Sequence, residues 1–279
     1  MNTTRTINAS IVTYLTPPDE LKKLIASLER SPVHRIYVID HSPDTSIKRC
    51  LEGCDRITYH HEENLGYGRG HNYGIAASVD SGADYHLVVN PDVYWTDPVV
   101  ESLADYMDAN PDCGLVMPKI LYPDGETQYL CKMLPSPADL IVRRFIPVKG
   151  VRRRLNTRYE LRGFGYDTPM EVPSLSGCFM FMRCAVLRRV GYFDPRFFMY
   201  AEDLDLCRRI GAQSKTVFYP KVCVYHAYAK GSYHNRRLLR YHLNSTFKYF
   251  NKWGWLFDSE RRRRNRECRR HIADVNNKQ

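Results

Sequence analysis

Five places in the chain combine residue type and position in a way that can do chemistry. They are Asp40 at the end of RIYVID, the glycine-rich stretch from Asn64 to Asn72, Asp92 in VVNPDVYW, the acidic group Glu202, Asp203 and Asp205, and His226. A nucleotide diphosphate needs a hard divalent cation held by carboxylate and sometimes imidazole, so Asp92 and His226 are read as a pair able to share Mg2+ or Mn2+. A hydroxyl nucleophile needs a carboxylate base within hydrogen-bond reach, and Glu202 or Asp203 can supply it. A glycine-rich loop running into a helix lets backbone approach a phosphate or a base closely. Each piece also has a plain structural reading: an ordinary Asn-Pro-Asp turn, carboxylates at a helix N-terminus, a hydrogen-bonding histidine after a strand, a glycine connection. Their occurrence together, in order, favours the chemical reading.

The elements that must position these residues are legible from periodicity. Leu87, Val88 and Val89 suit a buried strand of a parallel sheet, and Asn90-Pro91-Asp92 stops it. In open α/β sheets the ligand crevice lies outside the carboxyl ends of the strands, so Asp92 is expected to face a site. Further strands are expected at 7–14, 35–40, 57–60, 114–117, 176–183, 216–219 and 222–225. Thr16-Pro17-Pro18-Asp19 looks like an N-cap with proline at the first helical position, and Leu21, Leu24, Ile25 and Leu28 then give that helix one buried stripe. Alternation of strand and helix through residue 117 predicts a mainly parallel sheet with helices on both faces. The basic segment 143–162 lacks clean periodicity and is expected to be a mobile loop.

At 279 residues the chain is long enough for one large α/β domain plus an extension. A soft boundary is expected near Lys230, dividing 1–230 from a helical, basic C-terminal extension at 231–279 that contains RRRRNRECRR. A hydrophobic content of 43% is ordinary for a globular protein, whereas a net charge of +10 calls for an anionic partner such as nucleic acid, a membrane surface or phosphate-bearing small molecules. No helix-turn-helix, zinc or RNP signature supports nucleic acid. The tail is either a solvated basic segment or a contact with an anionic leaflet, where interleaved aromatics enter the interface. Nine cysteines without C-x-x-C spacing argue against a disulfide framework, and Cys178, Cys184 and Cys207 read as core thiols. With no signal-peptide pattern at the start and no apolar run of spanning length, the expectation is a cytoplasmic protein resting on a membrane.

Read in order, DHSPD from Asp40, ENLGYGRGHNYGI from Glu63, VVNPDV from Val88, LSGCFMFMR from Leu175, GYFDPRFFMYAEDLDLCRR from Gly191 and VYHAYAKGS from Val224 resemble glycosyltransferase family 2. The likeness is greatest to its bacterial rhamnosyltransferase-like members and runs from about residue 7 to the helix after Ser232. It implies a GT-A fold and inverting transfer of a sugar from a nucleotide-diphosphate sugar to a hydroxyl acceptor, without a covalent enzyme intermediate. Matched by motif, Thr13, Tyr14 and Asp40 would hold base and ribose, and Asn64, Gly66 and Asn72 would help place the nucleotide. Asp92 stands at the last position of the DxD metal motif, whose first aspartate is here Asn90, a neutral oxygen ligand at best. His226 would complete the metal shell, and Asp203 would be the general base with Glu202 the close alternative. The resemblance points to rhamnose from dTDP-rhamnose and to a saccharide acceptor on a polyprenyl-diphosphate lipid. That places the step in surface polysaccharide synthesis (O-antigen or capsule), on the inner face of the plasma membrane. The alternatives are a UDP-sugar donor (galactofuranose, N-acetylglucosamine or galactose) and, outside the class, a non-catalytic basic protein binding nucleotide or nucleic acid.

Overall fold

The computed structural model describes residues 5–142, 149–227 and 236–276. Strand β1 (Ile7–Thr13) is buried along its whole length and pairs in parallel with β2 (Arg35–Asp40) on one side and β4 (Tyr85–Val89) on the other. β3 (Ile57–His61) adds in parallel to β2. Such strands are covered on both faces, which explains why Leu87, Val88 and Val89 follow one another without polar alternation. Helices α1 (Pro18–Glu29), α2 (Tyr67–Asp80) and α3 (Val99–Ala109) make the crossovers, α1 and α3 each burying an apolar stripe. The chain then departs from this pattern. β8 (Phe179–Arg183) inserts antiparallel between β4 and β6 (Cys113–Leu121), and β9 (Lys215–His226) runs parallel to β6. β5 (Val93–Tyr94) and β7 (Met170–Glu171) lie antiparallel on β9. Among the described residues these nine strands form one sheet, ordered β3-β2-β1-β4-β8-β6-β9-β5 with β7 also on β9.

Several local expectations need correction. The N-cap of α1 is Pro17, with Pro18 first in the helix, so Thr16 lies one residue too early. Residues 149–159, expected as loop, form helix α4 (Lys149–Tyr159), whose arginines and leucine have good helix propensity although they make no regular apolar face; residues 143–148 lie outside the described ones. The two strands expected at 216–219 and 222–225 are one strand, β9, whose register against β6 jumps from Tyr219 to Cys223. Pro220 sits in that gap, where it has no N–H to give a ladder. Cys178, Cys184 and Cys207 are buried, as their apolar settings predict.

After α5 (Cys184–Val190) comes α6 (Glu202–Ile210), and the C-terminal helices α7 (Arg236–Trp253) and α8 (Ser259–Asn276) are fastened to it. Lys230, where a boundary is expected, falls outside the described residues. Buried Arg208 makes a two-pronged pair with Asp258 (2.6 and 2.7 Å), and Asp205 accepts from Arg209, Lys252 and the Trp253 indole. The arginine run is divided by the helix period. Arg261 and Arg264 are buried, reaching the carbonyls of Pro135 and Arg208, whereas Arg262, Arg263, Arg266, Arg269 and Arg270 are exposed. No helix among the described residues is long and apolar enough to cross a membrane.

A buried polar chain seats α2 on the sheet. His71 Nδ1 lies 2.7 Å from Ser10 Oγ, that hydroxyl 2.8 Å from His86 Nε2, and His86 Nδ1 2.7 Å from Ser78 Oγ. Burial pushes His86 down to about 3, and burial, reinforced by His86 and His41, holds His71 well below the usual histidine range. Both imidazoles are therefore neutral in the folded protein, while the unfolded chain takes up protons below about pH 6.5. Their contribution to stability is complete above that pH and is lost as the pH falls through it. Each should cost on the order of 2 kcal/mol by pH 5. Urea unfolding at pH 7 and pH 5 should show that loss, and His86→Gln should make the pH dependence shallower.

Candidate active site

The carboxyl ends of β1, β2, β4 and β9 and the start of β8 converge on one edge of the sheet. At the β1–β2 end, Thr13 stands opposite Asp40, and Thr13 Oγ1 donates to Asp40 Oδ1 at 3.0 Å. The same oxygen accepts from the Ser42 N–H (3.0 Å), and Tyr59 OH donates to Oδ2 (2.8 Å). Asp40 is thus a buried carboxylate fixed in direction by three donors. Tyr14, next to it, is half exposed.

At the other end of the edge, β5 pairs with β9 so that Val93 stands opposite His226, and Asp92 Oδ1 comes to 3.3 Å from His226 Nε2. Gln128 holds the far side of the ring. Its Nε2 donates to the His226 carbonyl at 2.8 Å, so its Oε1, 3.0 Å from Nδ1, must be the acceptor. Nδ1 therefore carries a proton in either state of the ring, and Nε2, which faces Asp92, holds the second proton in the charged ring and is free to act as a ligand once that proton has left. Burial opposes a charge on His226, but the Cys178 sulfur and the Asp92 carboxylate favour it, and the net effect is a rise to about 10. Glu20, in the first turn of α1, is also raised, by burial and then by Asp92. Among the described residues no group of three or more His, Cys, Asp or Glu side chains could hold a metal ion. Asp92 and His226 do fit a hard cation whose remaining ligands come from phosphate and water, the usual way Mg2+ is held at nucleotide sites.

Between these ends stands the start of α2. Asn64 Oδ1 accepts from the Gly66 N–H (3.1 Å), and Gly66 has φ +102°. A Cβ at Gly66 would lie 2.3 Å from the Phe198 carbonyl oxygen, which itself accepts from the Tyr67 N–H (2.9 Å). Tyr67 OH lies within reach of both Asn90 Oδ1 (3.0 Å) and the Gly177 carbonyl (2.7 Å), joining α2, the β4 turn and the approach to β8. Burial first, then Glu202, Asp203 and Asp92, raise its phenol well above the usual range, so it remains a donor. Asn72 sits a turn further along, and both its polar atoms pair with the Phe193 backbone (2.8 and 2.9 Å). It fastens α2 to the 193 segment, apart from Asn64 and Gly66.

Glu202 and Asp203 open α6 on the same side. Asp203 is half-buried, its Oδ2 accepting from the Gly177 N–H (3.0 Å) and its Oδ1 from the Leu204 N–H (2.8 Å). Glu202 is buried, Oε2 has no hydrogen-bond partner among the described residues, and burial followed by the neighbouring Asp203 pushes its carboxyl well above the usual range. Asp205 faces the other way, into the ion pairs with α7. The edge therefore gathers Asp40, Asn90, Asp92, His226, Tyr67 and Asp203, which suits a phosphate-bearing ligand at one end and a proton acceptor at the other. Gln128, Tyr67, Tyr59 and Glu20 were not singled out from the sequence. Tyr67 lies inside the glycine-rich stretch, whereas Gln128 falls where periodicity fades.

A family model described as "Glycosyl transferase family 2" matches residues 9–191. The N-acetylglucosaminyl-diphospho-decaprenol L-rhamnosyltransferase of Mycobacterium tuberculosis is 30% identical over 233 residues, covering 77% of this chain and 74% of that protein. Rhamnosyltransferase WbbL of Escherichia coli K12 is 26% identical over 243 residues, covering 83% and 88%. Among solved structures, GalNAc-T7 with UDP, GalNAc and Mn2+ superposes with a TM-score of 0.61 at 12% identity, over 88% of this chain and 48% of that one. The mannosyltransferase PcManGT from Pyrobaculum calidifontis, in complex with GDP-Man and Mn2+, gives 0.53 at 15% identity, over 87% and 64%. The chain thus spans about half of the first structure and just under two thirds of the second, and these two likenesses concern the fold alone, which is GT-A.

The Gly66 contact can be tested against Gly82, which also has a positive φ but has open space around it. Gly66→Ala should lower stability by about 2 kcal/mol or more, seen as a fall in Tm of about 5 °C. Gly82→Ala has φ +74° with nothing within 4 Å of the new Cβ and should lose about 1 kcal/mol from strain alone. Scanning fluorimetry of the two variants makes the comparison.

Proposed function

Because the chain belongs to glycosyl transferase family 2, we propose that it moves a sugar from a nucleotide diphosphate to a hydroxyl of a saccharide acceptor, with inversion at the anomeric carbon. The best-supported donor is dTDP-rhamnose and the acceptor a saccharide on a polyprenyl-diphosphate lipid, since the relatives similar over most of the chain carry rhamnosyltransferase names and one names a diphospho-decaprenol acceptor. The step would belong to bacterial surface polysaccharide synthesis, at the cytoplasmic face of the membrane. The observation that carries the reading is the gathering, on one sheet edge, of Asp40, the Asp92–His226 pair and Asp203.

In this reading Thr13, Tyr14 and Asp40 take the base and ribose, where Asp40 is already aimed by Thr13, Ser42 and Tyr59. Asn64 and Gly66 shape the loop beside the nucleotide, Asn72 braces it through Phe193, and Asn90, tied to Tyr67, lines the diphosphate. Asp92 and His226 would hold Mg2+ or Mn2+, which when bound neutralises charge gathering on the leaving diphosphate. Asp203 takes the proton of the acceptor hydroxyl as that oxygen closes on the anomeric carbon and the carbon–phosphate-oxygen bond breaks, its electron pair leaving with the diphosphate. Asp203 is favoured over Glu202 because it is partly open to solvent and oriented by two backbone N–H groups. Glu202 is enclosed and resists ionisation.

Asp203→Asn should retain nucleotide binding and lose about 10²–10⁴-fold in sugar transfer. Asp92→Ala should weaken nucleotide binding in the presence of Mn2+. Full activity in both variants would sink the assignment. A thermal-shift panel of dTDP-, UDP- and GDP-sugars, with and without Mn2+, identifies the donor class, and selective stabilisation by UDP-sugars would replace rhamnose with the UDP alternative.

A further inference from the structure

The outer face of α7 and the turn after it leave large apolar side chains in solvent. Phe247 is 50% exposed, Leu256 69% and Phe257 88%. The Trp255 ring joins Phe247 to the turn, lying 5.2 Å from Phe247 and 5.2 Å from buried Phe250, and Leu256 and Phe257 follow it directly in the chain. Gly254, with φ +97° and its N–H on the Phe250 carbonyl, reverses the chain there and projects Leu256 and Phe257 outward.

The exposed charge on the two helices around this tip is mostly positive. Ahead of Phe247 on α7 the exposed positions include Arg236, Arg237, Arg240 and Asn244, spaced to share its face. A cleft of about 670 Å³ opens on that helix, lined by Arg236, Leu239, Arg240, Tyr241, Leu243 and Asn244. Beyond the turn come the five exposed arginines of α8, and Glu267, paired with Arg263, is the exposed acid among the described side chains of 236–273. An apolar tip between two helices that carry exposed guanidinium groups, one of which, Arg262, reaches the Leu256 carbonyl (3.3 Å), is complementary to a surface with phosphates outside and hydrocarbon beneath.

We propose that this face docks on an anionic phospholipid bilayer, with Phe247, Leu256 and Phe257 entering the acyl boundary and the exposed arginines lying at the level of the phosphates. It deepens the reading of a lipid-linked acceptor by naming the surface that brings the enzyme to it. It also differs from docking by the arginine run alone, since Arg261 and Arg264 are committed to the protein interior. The geometry serves that purpose. Ser245 Oγ donates to the Met199 carbonyl (2.7 Å), Lys248 to that of Arg196 (2.7 Å), and Tyr241 packs on Phe198 (4.7 Å), so α7 carries the loop leading into Glu202 and Asp203.

Flotation of the full chain with phosphatidylglycerol/phosphatidylcholine vesicles and with pure phosphatidylcholine vesicles tests the surface. The wild type should bind the anionic vesicles, and Leu256→Ser/Phe257→Ser should lose about tenfold in partition at high salt, where the arginine contribution is screened. Equal partition of wild type and double variant would overturn the proposal. So would light scattering showing that the double substitution dissolves a dimer while vesicle binding persists, since the patch would then meet a second copy of this chain. Nucleotide-induced thermal shift, read on both proteins, checks that the variant is folded. Failure of every nucleotide to stabilise either protein would count against the transferase reading, and the flotation difference would still decide the docking surface.

Discussion

Two pairs of facing residues set the geometry on which everything at the edge depends: Thr13 opposite Asp40, and Val93 opposite His226. Strand register has a period of two, so a slip of one residue would turn the ligand-facing side chain into the opposite layer. In β1 and β2 that slip is prevented by the buried apolar faces of both strands. In β5 and β9 it is resisted by a short antiparallel pairing, by the Ala227 N–H on the Asp92 carbonyl, and by Gln128, which grips both ring and backbone of His226. A mixed sheet is what allows this, because antiparallel β8 delivers the Gly177–Cys178 segment to the same edge at which parallel β4 ends.

The second constraint is ionic. Helix α6 presents Asp203 to the edge at its first turn, while its Asp205, Arg208 and Arg209 face away into a buried cluster with Lys252, Trp253 and Asp258. The Arg208 guanidinium lies over the Trp253 ring at 4.2 Å as well as gripping Asp258. Buried charges of this kind hold direction more than they add net stability, since any displacement strands one of them in a poorly solvating interior. Helix α6 and the C-terminal helices therefore behave as one part.

Much of this was legible in the residues. The β-branched run before Asn90, the apolar stripe of α1 and the acidic end of β2 announced their elements because local sequence and tertiary burial agree there. Asp92 and His226, more than a hundred residues apart, were paired by chemistry alone, and the sheet brings them together. What escaped detection depends on long-range placement. Gln128 sits in a stretch with no period, and nothing local to Tyr67 among its glycines marks the hydroxyl that meets Asn90 and Gly177. Helix α4 was hidden because it lacks a regular apolar stripe, so propensity was its main signal. The arginine run read as uniform charge, whereas a period of 3.6 turns some of its members inward.

The contact between Gly66 and Phe198 has a consequence for how this protein can vary. On the Phe198 side it uses a carbonyl, a hydrogen-bonded backbone group and no side-chain identity; on the Gly66 side it demands the absence of a side chain. This joint is thus indifferent to side-chain identity at residue 198 and intolerant of a side chain at residue 66. Chimaeras that graft a different segment around residue 198 onto the strands and helices before it meet a joint already standardised in backbone, provided the graft keeps its chain path there.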